Sequence, residues 1–163
     1  MILDTKKICV KADTLNIDEV FDFIEGELEA VDGISRQEVL KIHMVVDEIF
    51  SNIANYAYGD EGDDSDHSKA SDSGCERSDA ETVTVTFDYD TEKKVVAITF
   101  TDNGRPYNPL EEAPPDVTLP AAKRKIGGLG VFMVRNTVDD IKYENRDGKN
   151  ILTILKKTGG ETP

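Results

Sequence analysis

The sequence is short of positive charge. Its 163 residues carry 19 Lys and Arg against 33 Asp and Glu, a formal net charge of −14. That balance argues against nucleic acid or an anionic membrane as partner, since both call for a basic surface. Long apolar runs are missing too. No stretch approaches the roughly 20 residues of a membrane-spanning helix, and the N-terminus, with Asp4, Lys6 and Lys7 around a short hydrophobic patch, lacks the layout of a signal peptide. Cysteine is scarce: Cys9 and Cys75 are far apart, sit in unlike contexts and form no CxxC. With His43 and His67 isolated they offer no zinc site, and a reduced, cytoplasmic setting is the simplest expectation. Apolar content of 38% is low, yet the length is enough for one domain, residues 1–163, with a proper core.

What is present has clear periodicity. Residues 35–58 read as one long amphipathic helix, with Val39, Ile42, Val46, Ile49, Ile53 and Ala57 in an apolar stripe. Ser35 followed by Glu38 predicts a capping-box start, and Gly59 a stop. A second, polar stripe holds Lys41, Glu48, Asn52 and Asn55, because residues four and seven apart nearly align on a helix. A carboxylate one turn before a carboxamide can serve as a base beside an oxygen ligand for Mg²⁺; by itself it is most simply read as a solvated face. Upstream, a strand is expected over residues 6–12, then a helix opened by Asn16 and Glu19 with Ile17, Val20, Phe21, Ile24, Leu28 and Val31 on one face.

From Gly59 to Glu81 the composition changes. Nine acidic and two basic residues give this stretch half the charge of the chain. It lacks the apolar surface needed to offset ordering entropy, so a mobile acidic loop is expected over 59–81. Strands follow at 82–89 and 94–101, the second running into Asp102-Asn103-Gly104. An irregular, proline-containing stretch ends in Lys123-Arg124-Lys125, and Gly127-Gly128-Leu129-Gly130 then opens a helix. Two closing strands, 140–144 and 150–156, are joined by a turn at Asp147-Gly148.

Three loop motifs carry chemistry, each with a bland alternative. A buried carboxylate at Asp102 can accept from an exocyclic amine such as N6 of adenine, with Gly104 allowing close approach, or the motif is a plain turn. The glycines before the last helix can present N–H groups to a phosphate, or form a tight entry turn; neither a Walker loop nor a dinucleotide fingerprint is met. The basic trio can reach a terminal phosphate or be a solvated patch.

The order of these motifs closely resembles that of the GHKL (Bergerat) ATPases, which include histidine kinases, gyrase and the heat-shock chaperone. Within them, Asn52–Tyr58, Asp102–Leu110, Gly127–Val134 and Asn150–Ile154 resemble the bacterial anti-sigma-factor serine kinases of sporulation and general-stress systems. The resemblance covers nearly the whole chain except residues 59–81. It implies a two-layer α/β sandwich: a mixed, mostly antiparallel sheet of about five strands with helices on one face, and ATP held between helix, sheet and a lid.

The resemblance also implies roles. Glu48 would be the general base, Asn52 the Mg²⁺ ligand, and Asp102 the reader of the adenine amine, with Gly104 giving the base room. Gly127, Gly128, Leu129 and Gly130 would wrap the phosphates, and Arg124 or a neighbouring lysine would reach the γ-phosphate. Thr153 matches an adenine-side threonine, and Asn55 a second position that could add a contact near the metal. The implied activity is ATP-dependent phosphorylation of a serine on an anti-anti-sigma (STAS-type) protein, together with sequestration of a sigma factor. Relatives of this kind are often homodimers. The alternative is an ATP-binding module that sequesters a partner without catalysis. A histidine-kinase catalytic domain is the less expected reading, since no dimerisation helix with a phospho-accepting histidine precedes the domain and His43 lies within the ATP-site helix.

Overall fold

Alternation in two segments dictates the sheet. In β2 (Thr82–Asp90) and β3 (Val95–Asp102) every second side chain is buried, the period-2 signature of a strand with one face on a core. The computed structural model describes residues 5–58, 81–113, 115–116, 118 and 128–159. The expected acidic loop lies outside those residues apart from Glu81, as do Arg124 and Gly127. With β1 (Lys6–Lys11), β4 (Asp140–Arg146) and β5 (Lys149–Lys157), the strands form one sheet in the order β1-β2-β3-β5-β4. Every pairing is antiparallel; the sheet is therefore not mixed, as hairpins supply the β2–β3 and β4–β5 neighbours and need no parallel crossover. The β4–β5 turn has both Asp147 and Gly148 at positive φ (55° and 74°), the two-residue geometry that matches strand twist.

Register arranges the inner face in rows. Ile8, Val85, Phe100, Leu152 and Tyr143 lie side by side across all five strands. One row towards the end of the sheet the apolar series gives way, in Val10, Val83, Asp102, Asn150 and Asn145. The inner face packs under α1 (Ile17–Leu28), α2 (Arg36–Asn52) and α3 (Leu129–Thr137), whose buried residues include Val20, Ile24, Ile42, Val45, Val46, Ile49, Phe50 and Val134.

Local chemistry starts each helix. The Ser35 hydroxyl accepts from Glu38 N–H (3.2 Å) while the Glu38 carboxylate accepts from Ser35 N–H (2.7 Å), completing the expected capping box. The start of α1 differs: Asn16 makes no side-chain cap, and Asp13 instead caps a 3-10 turn over Thr14–Asn16. The long helix also does not end as a regular one. Beyond Asn52 it widens into a π turn over Ile53–Ala57. Cys9 on β1 is disulfide-bonded, unlike the reduced thiol expected, so the cysteines carry no argument for a reducing compartment. No described helix is long and apolar enough to cross a membrane.

Candidate functional site

A cleft of about 620 Å³, counting its share of open solvent, opens between α2, α3 and the polar end of the sheet. Glu48, Ile49, Asn52 and Ile53 form its helical floor, and Asp102, Asn150 and Leu152 come from β3 and β5. The walls are Arg105, Tyr107 and Pro109 from the loop after β3, Val131 and Val134 from α3, and Ile141 and Tyr143 from β4.

Asp102 is 6% exposed. Its Oδ1 accepts from Gly104 N–H at 2.9 Å, closing an Asx turn, and from Asn150 Nδ2 at 2.9 Å. Oδ2 accepts no hydrogen bond from the described residues and remains an acceptor at the cleft wall. Burial raises the pKa of this carboxyl, while the Asn150 and Gly104 bonds pull the other way. Gly104 has no room for a side chain: a Cβ there would stand 2.6 Å from both Cβ and O of Ala57. The same loop is tied down by Arg105 N–H donating to Ala57 O (3.0 Å). Tyr58 receives Asn103 N–H (3.1 Å) and faces Thr82 O (2.9 Å) and Asn103 Oδ1 (2.6 Å); burial pushes its hydroxyl up to about 12. Tyr107 donates to Glu112, and burial together with that carboxylate raises its pKa.

On α2, Asn52 Nδ2 donates to Glu48 Oε1 at 3.1 Å. The amide hydrogens thus face the carboxylate, and the Asn52 carbonyl oxygen is the hard donor left for a cation. The Glu48 carboxylate reaches across to the first turn of α3: a Cβ built on Gly130 would fall 1.6 Å from its Oε1. A carboxylate is electrostatically favoured beside a helix N-terminus. No group of three or more His, Cys, Asp or Glu that could cage a metal occurs among the described residues. Among the described residues, Asn52 is the one that would offer a Mg²⁺ here a hard oxygen donor.

The structure brings Glu48, Asn52 and Asp102 to one cleft, with Gly104 bonded to Asp102 beside it. Gly128 (φ 80°) caps α3, and Leu129 is 46% exposed; with Gly130 they lead α3 at the rim, while Val131 and Val134 form the wall. Two expectations need correction. Asn55 is exposed and does not line the cleft. A π turn carries more residues per turn, so the step from Asn52 to Asn55 covers less angle than an α-helix would give. Thr153 stands on the far face of the sheet, its hydroxyl 3.0 Å from that of Thr99, because Leu152 and Ile154 take the inner phase of β5.

Sequence reading missed Asn150, the residue β5 does supply beside Asp102. The one signal was ambiguous, a polar residue in phase with Leu152 and Ile154, which the structure buries. Tyr56, Arg105, Tyr107 and Tyr143 line the cleft and were also not singled out.

An antiparallel sheet backed by helices on one face, with a cleft between a polar helix stripe and a strand-end carboxylate, defines a nucleotide-binding ATPase domain of the GHKL type. The chain belongs to the histidine kinase-like ATPase domain family, whose model matches residues 10–156. Among solved structures, the crystal structure of the RsbU and RsbW domains of Rv1364c from Mycobacterium tuberculosis is similar, with a TM-score of 0.57 at 13% identity. The match covers 96% of this chain but only 33% of that one, and identity this low speaks for the fold alone. Comparison with curated protein sequences gives no match.

Proposed function

We propose that this chain is a Mg-ATP-dependent protein serine kinase acting as an anti-sigma factor. It would phosphorylate a serine on an anti-anti-sigma (STAS-type) partner and otherwise hold a sigma factor inactive, a pairing that belongs in the cytoplasm. The observation that carries the reading is Glu48, a carboxylate one helical turn from Asn52 in the same cleft as the buried Asp102. The family supports ATP binding, and the sequence resemblance to the anti-sigma kinases supports the acceptor and partners. The fold shared with a structure containing an RsbW domain is compatible with them.

In this reading Asp102 Oδ2 accepts from the adenine amine, and Gly104 lets the base approach the backbone. Gly127, Gly128, Leu129 and Gly130 lead the phosphates to the start of α3, with Arg124 or a neighbouring lysine at the terminal one. Asn52 Oδ1 is the protein ligand for magnesium, which when bound supplies charge neutralisation at the phosphates. Glu48 accepts the proton of the serine hydroxyl as its oxygen bonds to the terminal phosphorus and the bond from that phosphorus to the bridging oxygen breaks, ADP leaving with the electron pair; the base contributes about 10²–10⁴-fold.

Incubation with γ-labelled ATP and a candidate anti-anti-sigma partner should label one serine. Glu48→Ala should bind ATP but transfer at least about 10²-fold more slowly. Absence of serine labelling, or undiminished labelling by the variant, would overturn the kinase reading. One observation favours the non-catalytic alternative: Glu48 Oε1 is already engaged by Asn52 and packed against Gly130. That alternative predicts binding dependent on Asp102 and Gly128 with no transfer.

A further inference from the structure

Asn150 is buried, 6% exposed, and lies directly across the β3–β5 ladder from Asp102. All of its hydrogen-bonding capacity is in use. Nδ2 donates to Asp102 Oδ1 (2.9 Å) and to Arg105 O (2.9 Å), with Gly104 O at 3.4 Å. Oδ1 accepts from Tyr143 OH (2.7 Å) and Asn145 Nδ2 (3.1 Å). An amide has two hydrogens and one doubly accepting oxygen, so nothing remains for a ligand. Turning the amide over would set its oxygen against a carboxylate and two carbonyls. The orientation is therefore locked from the β4 side, and Asp102, Asn150 and Asn145 form a hydrogen-bonded chain along one row of the sheet.

We infer that Asn150 is the positioning residue for base selection: it occupies Asp102 Oδ1, pins the 104–105 turn, and so presents Oδ2 of the ionised carboxylate to the cleft as an acceptor. An acceptor facing C6 of the base selects a purine with an amino group at C6 and rejects one with a carbonyl at C6, because the latter would face it with a second acceptor and leave both unpaired. Asn150 exerts this selection without touching the base. The inference rests on the nucleotide reading above and deepens it. The other ionisable groups of the cleft are Glu48 and Tyr56 on the α2 side, Arg105 and Tyr107 on the loop, and Tyr143 on β4. Tyr58 stands close enough to feel the Asp102 charge, whereas α3 contributes only Val131 and Val134.

Two variants and two readouts test it. Asn150→Leu removes both donations. Asn145→Leu changes an exposed residue that holds Asn150 and makes no described bond to Asp102, so it serves even where the first variant folds poorly. Fluorescence titration with adenine and guanine nucleotide analogues reads selection. Carbon-13 NMR titration of the Asp102 carboxyl in the ligand-free protein reads its hydrogen bonding. The adenine preference should shrink about tenfold in Asn150→Leu, with the carboxyl titrating at higher pH, and both should change in the same direction by less in Asn145→Leu. Wild-type values of both readouts in folded Asn145→Leu or Asn150→Leu overturn the inference, even if stability has dropped. Wild-type protein that binds no nucleotide overturns the nucleotide reading and with it base selection, while the carboxyl titration separately decides whether Asn150 holds Asp102.

Discussion

At the scale of single residues, Gly130 and Glu48 are complementary. The carboxylate fills the volume that any side chain at position 130 would need, which gives this glycine a purpose apart from backbone approach to a phosphate. Gly130→Ala should displace Glu48 without removing it. Stopped-flow or quenched phosphotransfer assays should then show kcat falling by about 10²-fold, as expected for an ångström-scale misplacement, with KM for ATP moving less. An unchanged kcat would mean that the position of Glu48 does not limit transfer. Asp102 shows the opposite relation, serving function while weakening the fold. Burial raises its pKa, so the folded state holds the proton more tightly than the unfolded chain does. The stabilising contribution is complete below the unfolded carboxyl value of 3.8 and is lost as pH rises through the raised folded value. At neutral pH the charge needed to accept an amine works against the fold.

At the scale of elements, α2 decides how much of the site could be read in advance. Its apolar stripe and capping box are local and periodic, and both are as the sequence implies. Ser35→Ala removes one half of the box. It should cost about 1 kcal/mol in denaturant unfolding while leaving nucleotide affinity unchanged, since Ser35 is at the end of α2 remote from Asn52. A larger loss, or an effect on affinity, would show that the helix start is coupled to the cleft. The π turn was not legible. Residues 53–57 have ordinary α-helical patterning, and the widening is set by tertiary contact, with Ala57 meeting Gly104 and receiving Arg105 N–H. Extrapolating the α-helical period through that turn is what put Asn55 on the Asn52 face. β5 shows a related failure. Asn150-Ile151-Leu152-Thr153-Ile154 alternates polar and apolar residues imperfectly, so either phase could face inwards, and only pairing with β3 settles that Asn150 meets Asp102.

At the scale of the whole molecule, one sheet end organises the chemistry. Apolar rows hold the helices, and the row that fails to be apolar, Asp102–Asn150–Asn145, falls where the polar face of α2 arrives. Floor and wall are thus fixed by the same packing that builds the core, and the cleft needs only the loop after β3 and the start of α3 to complete it. The most direct test is a calorimetric titration of Mg-ATP into wild-type protein and Asp102→Asn at pH 7, with thermal unfolding of both. The introduced carboxamide would keep the oxygen that Asn150 and Gly104 bond, while its NH₂ replaces the free acceptor at the cleft wall. Wild-type protein should bind one ATP. Asp102→Asn should bind at least about tenfold more weakly yet unfold at the same or a higher temperature at pH 7, an advantage that disappears at pH 3. Equal affinity in the two proteins, or no binding by the wild type, would contradict the placement of ATP in this cleft.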